Sequence, residues 1–349
     1  MTPQHPSERR NENSVTPWIG VLKISRVPFW FLWTSPLLIG YLGSAHDYGA
    51  HHVAWFVLVM AGVWTGDAVA SIHNELVDRE EDAINQPERS VLLASMRQQT
   101  LWFMVFVGYV SLAVGAVAFA VAVGWLPALV VSLGALAAPL YNWGPRFKRR
   151  PPMPQIVFAW VAFCETTGGW LLNAPLSTLT PAVAVVALFI AVASVAKDLP
   201  DAEGDEAVGA ASVFSIRNAR VRRSILIAIH VSPYLLLVAL ISGGIVPKTM
   251  LWVCTLLPAA LAIVWLGERA ATQAAKVLTY ELAYLYVHVF LLGLLIAGWP
   301  SLLNVTVAVV MLVARLAAVA ARLEPRFVGE HVTLRAGVRD LFRKPAPST

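Results

Sequence analysis

Two short stretches carry the side chains best suited to chemistry in this chain: Asn74-Glu-Leu-Val-Asp78-Arg-Glu-Glu-Asp82 and Lys197-Asp198-Leu-Pro-Asp201-Ala-Glu-Gly-Asp205. Acidic residues fill five of nine positions in the first and four of nine in the second, out of 21 in 349 residues, and that concentration asks for a cation. In helical conformation Asn74, Asp78 and Asp82 stand at i, i+4 and i+8 on one face. Asp198, Asp201 and Asp205 stand at i, i+3 and i+7, again one face, with Pro200 predicting a helix start or break nearby. Like charges stacked this way destabilise a bare helix by about 0.2–0.5 kcal/mol per pair, a cost that a divalent ion reverses. Carboxylates and an amide are hard oxygen ligands, suited to magnesium or calcium rather than zinc. Magnesium takes one or two carboxylates and completes its shell with water and phosphate oxygens, so two facing acidic groups suit a metal-bridged diphosphate.

The elements that hold these residues are membrane helices. With 58% hydrophobic residues and a mean hydropathy of +0.66, the chain is too apolar for a soluble domain. Ten spans are predicted near 28–45, 52–73, 99–121, 124–142, 154–173, 179–197, 223–246, 248–267, 280–298 and 301–321, each about the 20 residues needed to cross the hydrocarbon. Placing the N-terminus in the cytoplasm leaves Lys248 as the one Lys or Arg of 26 in an outer loop, in accord with the positive-inside rule. Arg315 falls within a span, close enough to the inner face to snorkel to the headgroups. The net charge of +5 is therefore a topology signal facing anionic lipid, and points to neither nucleic acid nor a protein partner. Cys164 and Cys254 both lie in predicted spans, which implies no disulfide or zinc framework. The expected organisation is a disordered tail over 1–16, one all-α membrane domain over 17–323, and a basic cytoplasmic tail over 324–349.

On this topology the outer connections are short and the inner ones long and polar, which places the working face in the cytoplasm. The first acidic stretch ends span two and the second ends span six, as though two related halves brought their acidic ends together around a central cavity. Both stretches sit at helix C-terminal ends, whose partial negative charge repels an anion. A phosphate ligand therefore needs metal and basic side chains, and Arg79, Arg89, Arg146, Lys148, Arg149 and Lys197 lie nearby in sequence. One acidic run on a membrane protein is ordinarily a solvated loop; two at helical spacing, on one face and with basic loops between, argue for a site.

Asn74-x-x-x-Asp78-x-x-x-Asp82, followed by Asn85-Gln-Pro-Glu-Arg89, resembles the first aspartate-rich motif of the UbiA superfamily of intramembrane prenyltransferases. Lys197-Asp-Leu-Pro-Asp201-Ala-Glu-Gly-Asp205 is similar to its second motif, particularly in the homogentisate prenyltransferase branch. Leu140-Tyr141-Asn-Trp-Gly-Pro-Arg146-Phe-Lys148-Arg149 resembles the Tyr-and-Lys segment after the fourth helix. The resemblance implies a bundle of nine or so helices around a cavity opening sideways to lipid, and an isoprenoid diphosphate as substrate. It implies that Asn74, Asp78, Asp82, Asp201 and Asp205 hold two magnesium ions on the diphosphate, with Asp198 in support. It further implies that Lys148 and Arg89 bind phosphate oxygens, with Arg146 and Lys197 beside them, and that Tyr141 lines the pocket near the reacting carbon. The chain departs from the family pattern at Glu75, commonly Asp, at Ser90, commonly Pro, and at Asn142, commonly Ser or Thr. These changes spare the ligands and bear on the acceptor.

The resulting expectation is Mg-assisted ionisation of a prenyl diphosphate and electrophilic alkylation of an aromatic acceptor, phenolic or quinone-precursor, by an enzyme of the bacterial inner membrane. Asp67, two turns before Asn74 on its face, is a candidate to orient or deprotonate the acceptor, or else a hydrogen-bond partner of a neighbouring helix. Glu165, mid-span, has the same two readings, and Glu281 reads as structural. Two competing functions are a terpene cyclase on the same scaffold, whose cation is quenched internally, and a cation transporter. The transporter predicts acids at the bilayer midplane in broken helices, whereas these lie at a helix end.

Overall fold

The computed structural model describes residues 17–44, 50–143, 145–150, 152–207, 212–321 and 333–342, and these are helical or in short connections. The N-terminal tail 1–16 and most of the segment after 321 lie outside the described residues. In chain order the helices are α1 (Pro17–Ile24), α2 (Val27–Ser44), α3 (Ala50–Val77), α4 (Arg79–Asn85), α5 (Pro87–Ala94), α6 (Gln98–Ala122), α7 (Trp125–Ala135) and α8 (Ala137–Asn142). They continue with α9 (Met153–Leu171), α10 (Ala182–Ala207), α11 (Ala219–Ser242), α12 (Leu257–Arg269, entered through a 3-10 segment, Lys248–Leu256), α13 (Gln273–Gly298), α14 (Leu302–Ala320) and α15 (Leu334–Phe342).

Every one of the ten predicted spans corresponds to a helical segment. Among the described residues eight are long and apolar enough to cross a membrane, and the chain is an integral membrane protein. The two others, α2 and α9, are diluted by Trp, Thr, Pro and Gly, and most of the small and polar residues of both are buried inside the bundle. A Cβ on Gly40 of α2 would lie 1.9 Å from the Thr166 carbonyl oxygen of α9, and one on Gly169 would lie 2.3 Å from that of Leu37. Small residues let these two backbones touch, which is how membrane helices associate without a hydrophobic driving force. The last two spans are distinct, α13 and α14 being separated by Trp299 to Ser301.

Three local features differ from expectation. The fourth span is interrupted at Leu136, which divides α7 from α8. Pro200 neither starts nor ends a helix: α10 runs through it, and the Pro200 carbonyl accepts a hydrogen bond from Gln273 Nε2 at 3.1 Å. Arg315 does not snorkel. It is 1% exposed, its Nη1 donates to the Pro28 carbonyl at 2.8 Å and its Nη2 lies 3.4 Å from Glu281 Oε2. A buried carboxylate and a backbone carbonyl of α2 hold it inside, and they give Glu281 the structural role expected of it.

α4, which follows α3 through Asp78, meets the end of α10 on one side of the bundle. Asn85 Oδ1 accepts the Gly204 amide at 2.7 Å, Gln86 Nε2 donates to Asp201 Oδ1 at 2.7 Å, and Gln273 Nε2 of α13 reaches the Asn85 carbonyl at 3.0 Å. Lys276, one turn on, pairs with Glu203 at 2.5 Å. Gly204 permits this approach, since a Cβ there would stand 2.4 Å from the Asn85 amide oxygen.

Candidate active site

α3 ends at Val77, yet the helical spacing of the first stretch survives. Asp78 leaves helical geometry, at φ −99 and ψ 17, before α4 begins. Its amide still donates to the Asn74 carbonyl at 2.9 Å and its carbonyl accepts from Asp82 at 2.8 Å, so the i, i+4, i+8 progression is unbroken. Asn74, Asp78 and Asp82 accordingly line one wall of a polar cavity of about 360 Å³, and Asp198, Asp201 and Asp205 of α10 line the other.

The basic groups come from three directions. Lys148, from the connection between α8 and α9, forms an ion pair with Asp78, and Arg149 pairs with Glu81. Burial lowers the Lys148 ammonium below its usual range, and Asp78 opposes that shift. Arg89 of α5, 1% exposed, places Nε 2.9 Å from Glu75 Oε1 and Nη1 3.6 Å from Asp82 Oδ1. Arg26 holds the same Glu75 oxygen at 3.0 Å. Lys197 Nζ donates to the Tyr141 hydroxyl at 3.2 Å. Asp82 keeps its proton up to about 8, raised by burial and by the neighbouring carboxylates Glu75, Asp201 and Asp78, with Arg89 pulling the other way. Its Oδ2 is buried without a hydrogen-bond partner.

A second chamber of about 950 Å³ adjoins the first, and Arg26, Asn74, Tyr141 and Lys197 line both. Its walls are mainly apolar, with aromatic rings from Phe29, Trp33, Trp55, Phe119 and Phe158 and the two carboxylates Asp67 and Glu165. Helices α3 and α6 pack antiparallel against each other along one side of it. Tyr109 pairs with His73 at 3.0 Å, Leu112 sits 3.9 Å from the Cβ position of Gly66, and the rings of Trp55 and Phe119 are 5.9 Å apart.

The structure thus gathers Asn74, Asp78, Asp82, Arg89, Tyr141, Lys148, Lys197, Asp198, Asp201 and Asp205 around one cavity and leaves two expected residues outside it. Arg146 is exposed, on a left-handed backbone at φ 49 that turns the chain so that Lys148 and Arg149, not Arg146, enter the polar cavity. Asp67 belongs to the apolar chamber. Of the aromatics within spans, Trp33 faces that chamber, while Trp30 stacks on Trp64 at 5.8 Å and Trp160 is exposed. Reasoning from the motifs missed Arg26, Gln86 and Gln273. Gln86 lies inside the quoted Asn85-to-Arg89 run; the other two stand in stretches that carry no motif.

Among the described residues no three of His, Cys, Asp and Glu converge closely enough to enclose a metal ion by themselves. The donor set nonetheless fits magnesium, which needs only one or two carboxylates when phosphate oxygens complete its shell. The unpartnered Asp82 oxygen and the crowding that keeps its proton on are what a cation would relieve.

A membrane bundle that joins a cavity of aspartates and cations to a greasy chamber is built for an amphiphile with a phosphorylated head. A model of the UbiA prenyltransferase family matches residues 33–285, and the chain belongs to that family. It is 26% identical over 239 residues to digeranylgeranylglyceryl phosphate synthase of Methanothermobacter thermautotrophicus, covering 66% of this chain and 82% of the relative. Among solved structures, a digeranylgeranylglyceryl phosphate synthase in membranes superposes with a TM-score of 0.57 at 16% identity, over 81% of this chain and 98% of the other. A UbiA homolog from Archaeoglobus fulgidus bound to DMAPP and Mg2+ gives 0.56 at 16% identity, over 78% and 99%. At such identities the structural likeness establishes the fold.

Proposed function

We propose that this protein transfers a prenyl group from a prenyl diphosphate to an electron-rich, hydroxyl-bearing aromatic acceptor, with the diphosphate in the polar cavity and the chain in the apolar chamber. The observation that carries the reading is the convergence of Asp78 and Asp82 with Asp201 and Asp205 around one cavity that opens onto a 950 Å³ chamber. Family membership and the DMAPP and Mg2+ bound by the Archaeoglobus homolog support it.

Asn74, Asp78, Asp82, Asp201 and Asp205, with Asp198 in support, would hold magnesium, two ions in this reading. Magnesium when bound neutralises the diphosphate and stabilises it as a leaving group. The chain's own residues do the rest. Lys148 and Arg89 bind phosphate oxygens and supply fixed positive charge where negative charge develops. The bond between C1 and the bridging oxygen breaks with its electron pair leaving on the diphosphate, and an allylic cation remains beside Tyr141. The acceptor's ring carbon forms the new bond and then loses its proton to the released diphosphate. Tyr141, held by Lys197, and the aromatic walls keep water from the cation. Asp67 and Glu165 present carboxyl groups to an acceptor hydroxyl in the apolar chamber, where they disfavour a phosphate head group.

We further place the protein in a bacterial inner membrane with the polar cavity and both termini in the cytoplasm, an orientation supported by 24 of the 26 Lys and Arg residues, all but Lys248 and Arg315, lying on or at that face. The test is an assay of the protein in lipid nanodiscs, with prenyl diphosphates of several lengths against hydroxylated aromatic acids and against geranylgeranylglyceryl phosphate, with and without magnesium. Prenylated aromatic product that requires magnesium is the expected result. Turnover of the glyceryl phosphate alone would replace the acceptor class, and cyclised hydrocarbon formed from the diphosphate alone would make the protein a cyclase.

A further inference from the structure

Two kinds of helical glycine stand out in this membrane domain. At Gly40, Gly169 and Gly108 an added Cβ would strike a neighbouring helix within 2.5 Å, so the missing side chain serves packing. At Gly62 of α3 and Gly115 of α6 an added Cβ would meet nothing within 4 Å, and both glycines line the apolar chamber. Glycine costs a helix about 1 kcal/mol relative to alanine, and helix packing does not explain that cost at these two positions. What their missing side chains leave is space inside the chamber.

The register of α3 against α6 puts the two glycines at one depth. Gly66 lies beside Leu112 and Trp55 beside Phe119, so Gly62, between Trp55 and Gly66, stands level with Gly115, between Leu112 and Phe119. From Asn74, at the diphosphate end, Gly62 is twelve residues along α3, about 18 Å at 1.5 Å each, and Trp55 is nineteen, about 28 Å. An extended isoprene unit adds four chain bonds of about 1.5 Å, hence about 5 Å of reach. The chamber above the glycine pair therefore takes three to four units, and a further 10 Å or so lies between the pair and the aromatic end wall.

We propose that Gly62 and Gly115, at one depth on the α3–α6 wall, keep open a gate that sets the prenyl chain length this protein accepts, and that the native gate admits donors of four or more isoprene units. The proposal rests on the assignment of the polar cavity to diphosphate, and deepens it by naming the donor class. Leucine at either position would project into the opening from a Cβ that meets nothing within 4 Å, leaving the chamber above it intact for short chains.

The experiment measures dissociation constants of geranyl, farnesyl and geranylgeranyl thiolodiphosphates, with magnesium, for the full chain in nanodiscs. Wild type is expected to bind the twenty-carbon compound at least as tightly as the ten-carbon one. Gly62→Leu and Gly115→Leu should keep geranyl binding within about twofold while the ratio of geranylgeranyl to geranyl affinity falls about tenfold or more, a loss smaller than the burial of one five-carbon unit is worth. Gly62→Ala and Gly115→Ala, which favour the helix, should shift the ratio in the same direction by less. Bound geranyl compound is the control for folding. An unchanged ratio in both leucine variants overturns the gate, and would mean that the tail leaves sideways into lipid. An equal fall for all lengths overturns it too. Failure of every length to bind wild type would refute the diphosphate assignment itself, and the gate with it.

Discussion

The approach of the two acidic stretches depends on one missing methyl group, and Gly204→Ala tests that dependence. An alanine Cβ would lie 2.4–2.5 Å from the amide atoms of Asn85, where ordinary contact is 3.4 Å or more. Asn85 is 6% exposed and already accepts the Gly204 amide, so it cannot swing away without losing that bond. The end of α10 must therefore retreat from α4 by about 1 Å, carrying Asp201 and Asp205 with it. Overpacking of this size costs about 1–3 kcal/mol, and alanine in a helix returns about 1, so the fold survives with a modest net loss. Catalysis is less tolerant, since displacing a reacting group by about 1 Å costs on the order of 10²-fold. The assay compares magnesium-dependent prenyl transfer with thermal unfolding in the same nanodisc preparation. The expected result is a roughly hundredfold loss of turnover with a shift in Tm of a few degrees. Removing the obstacle in Gly204→Ala/Asn85→Gly should recover part of the loss, the non-additivity expected of touching residues. Turnover within threefold of wild type in the single variant would refute the claim that this contact sets the distance between the two stretches.

Four further outcomes follow from the geometry. Asp78→Ala and Asp201→Ala should each lower turnover by at least about 10²–10³-fold, the loss typical of a removed transition-state stabiliser; near-normal rates in either would remove it from the ligand set. Glu75→Gln leaves Arg26 and Arg89 buried without their shared anion, and should destabilise the protein by about 3–5 kcal/mol, read as a fall in unfolding temperature. Arg146→Ala, on an exposed side chain outside the cavity, should leave turnover within twofold, and a larger fall would show that it reaches the substrate. Asp82 holds its proton to about pH 8 in the fold but to about pH 4 when unfolded. Across that window the folded state binds more protons, and magnesium-free stability should fall as pH rises. Asp82→Asn should flatten the fall, and an identical pH profile would contradict the crowding of carboxylates described above.

Much of the site was legible because its residues obey local rules. Spacing on a helix put Asn74, Asp78 and Asp82 on one face, and that spacing survives the interruption at Asp78 because the backbone hydrogen bonds run through it. Hydropathy located all ten helical segments, including α2 and α9, whose polar and small residues are mostly buried inside the bundle. What resisted prediction depends on partners distant in sequence. Arg315 looked free to reach the headgroups because nothing nearby in sequence announces Glu281 or the Pro28 carbonyl. Glu75 looked like a departure that bears on the acceptor, and is instead the shared anion of Arg26 and Arg89. Arg146 and Lys148 are two residues apart, and only the left-handed turn at Arg146 decides which of them enters the cavity. Gln273, which ties α13 to both acidic segments, stands in a stretch without any motif.

The account stands on both acidic ends gripping one diphosphate through divalent ions. Calorimetric titration of geranyl thiolodiphosphate into the protein in nanodiscs, with magnesium and after complete chelation, for wild type, Asp78→Asn and Asp201→Asn, tests it most directly. The account predicts binding that disappears on chelation and is lost by an order of magnitude or more in each variant. Full affinity without divalent metal, or in a protein lacking either aspartate, would contradict it.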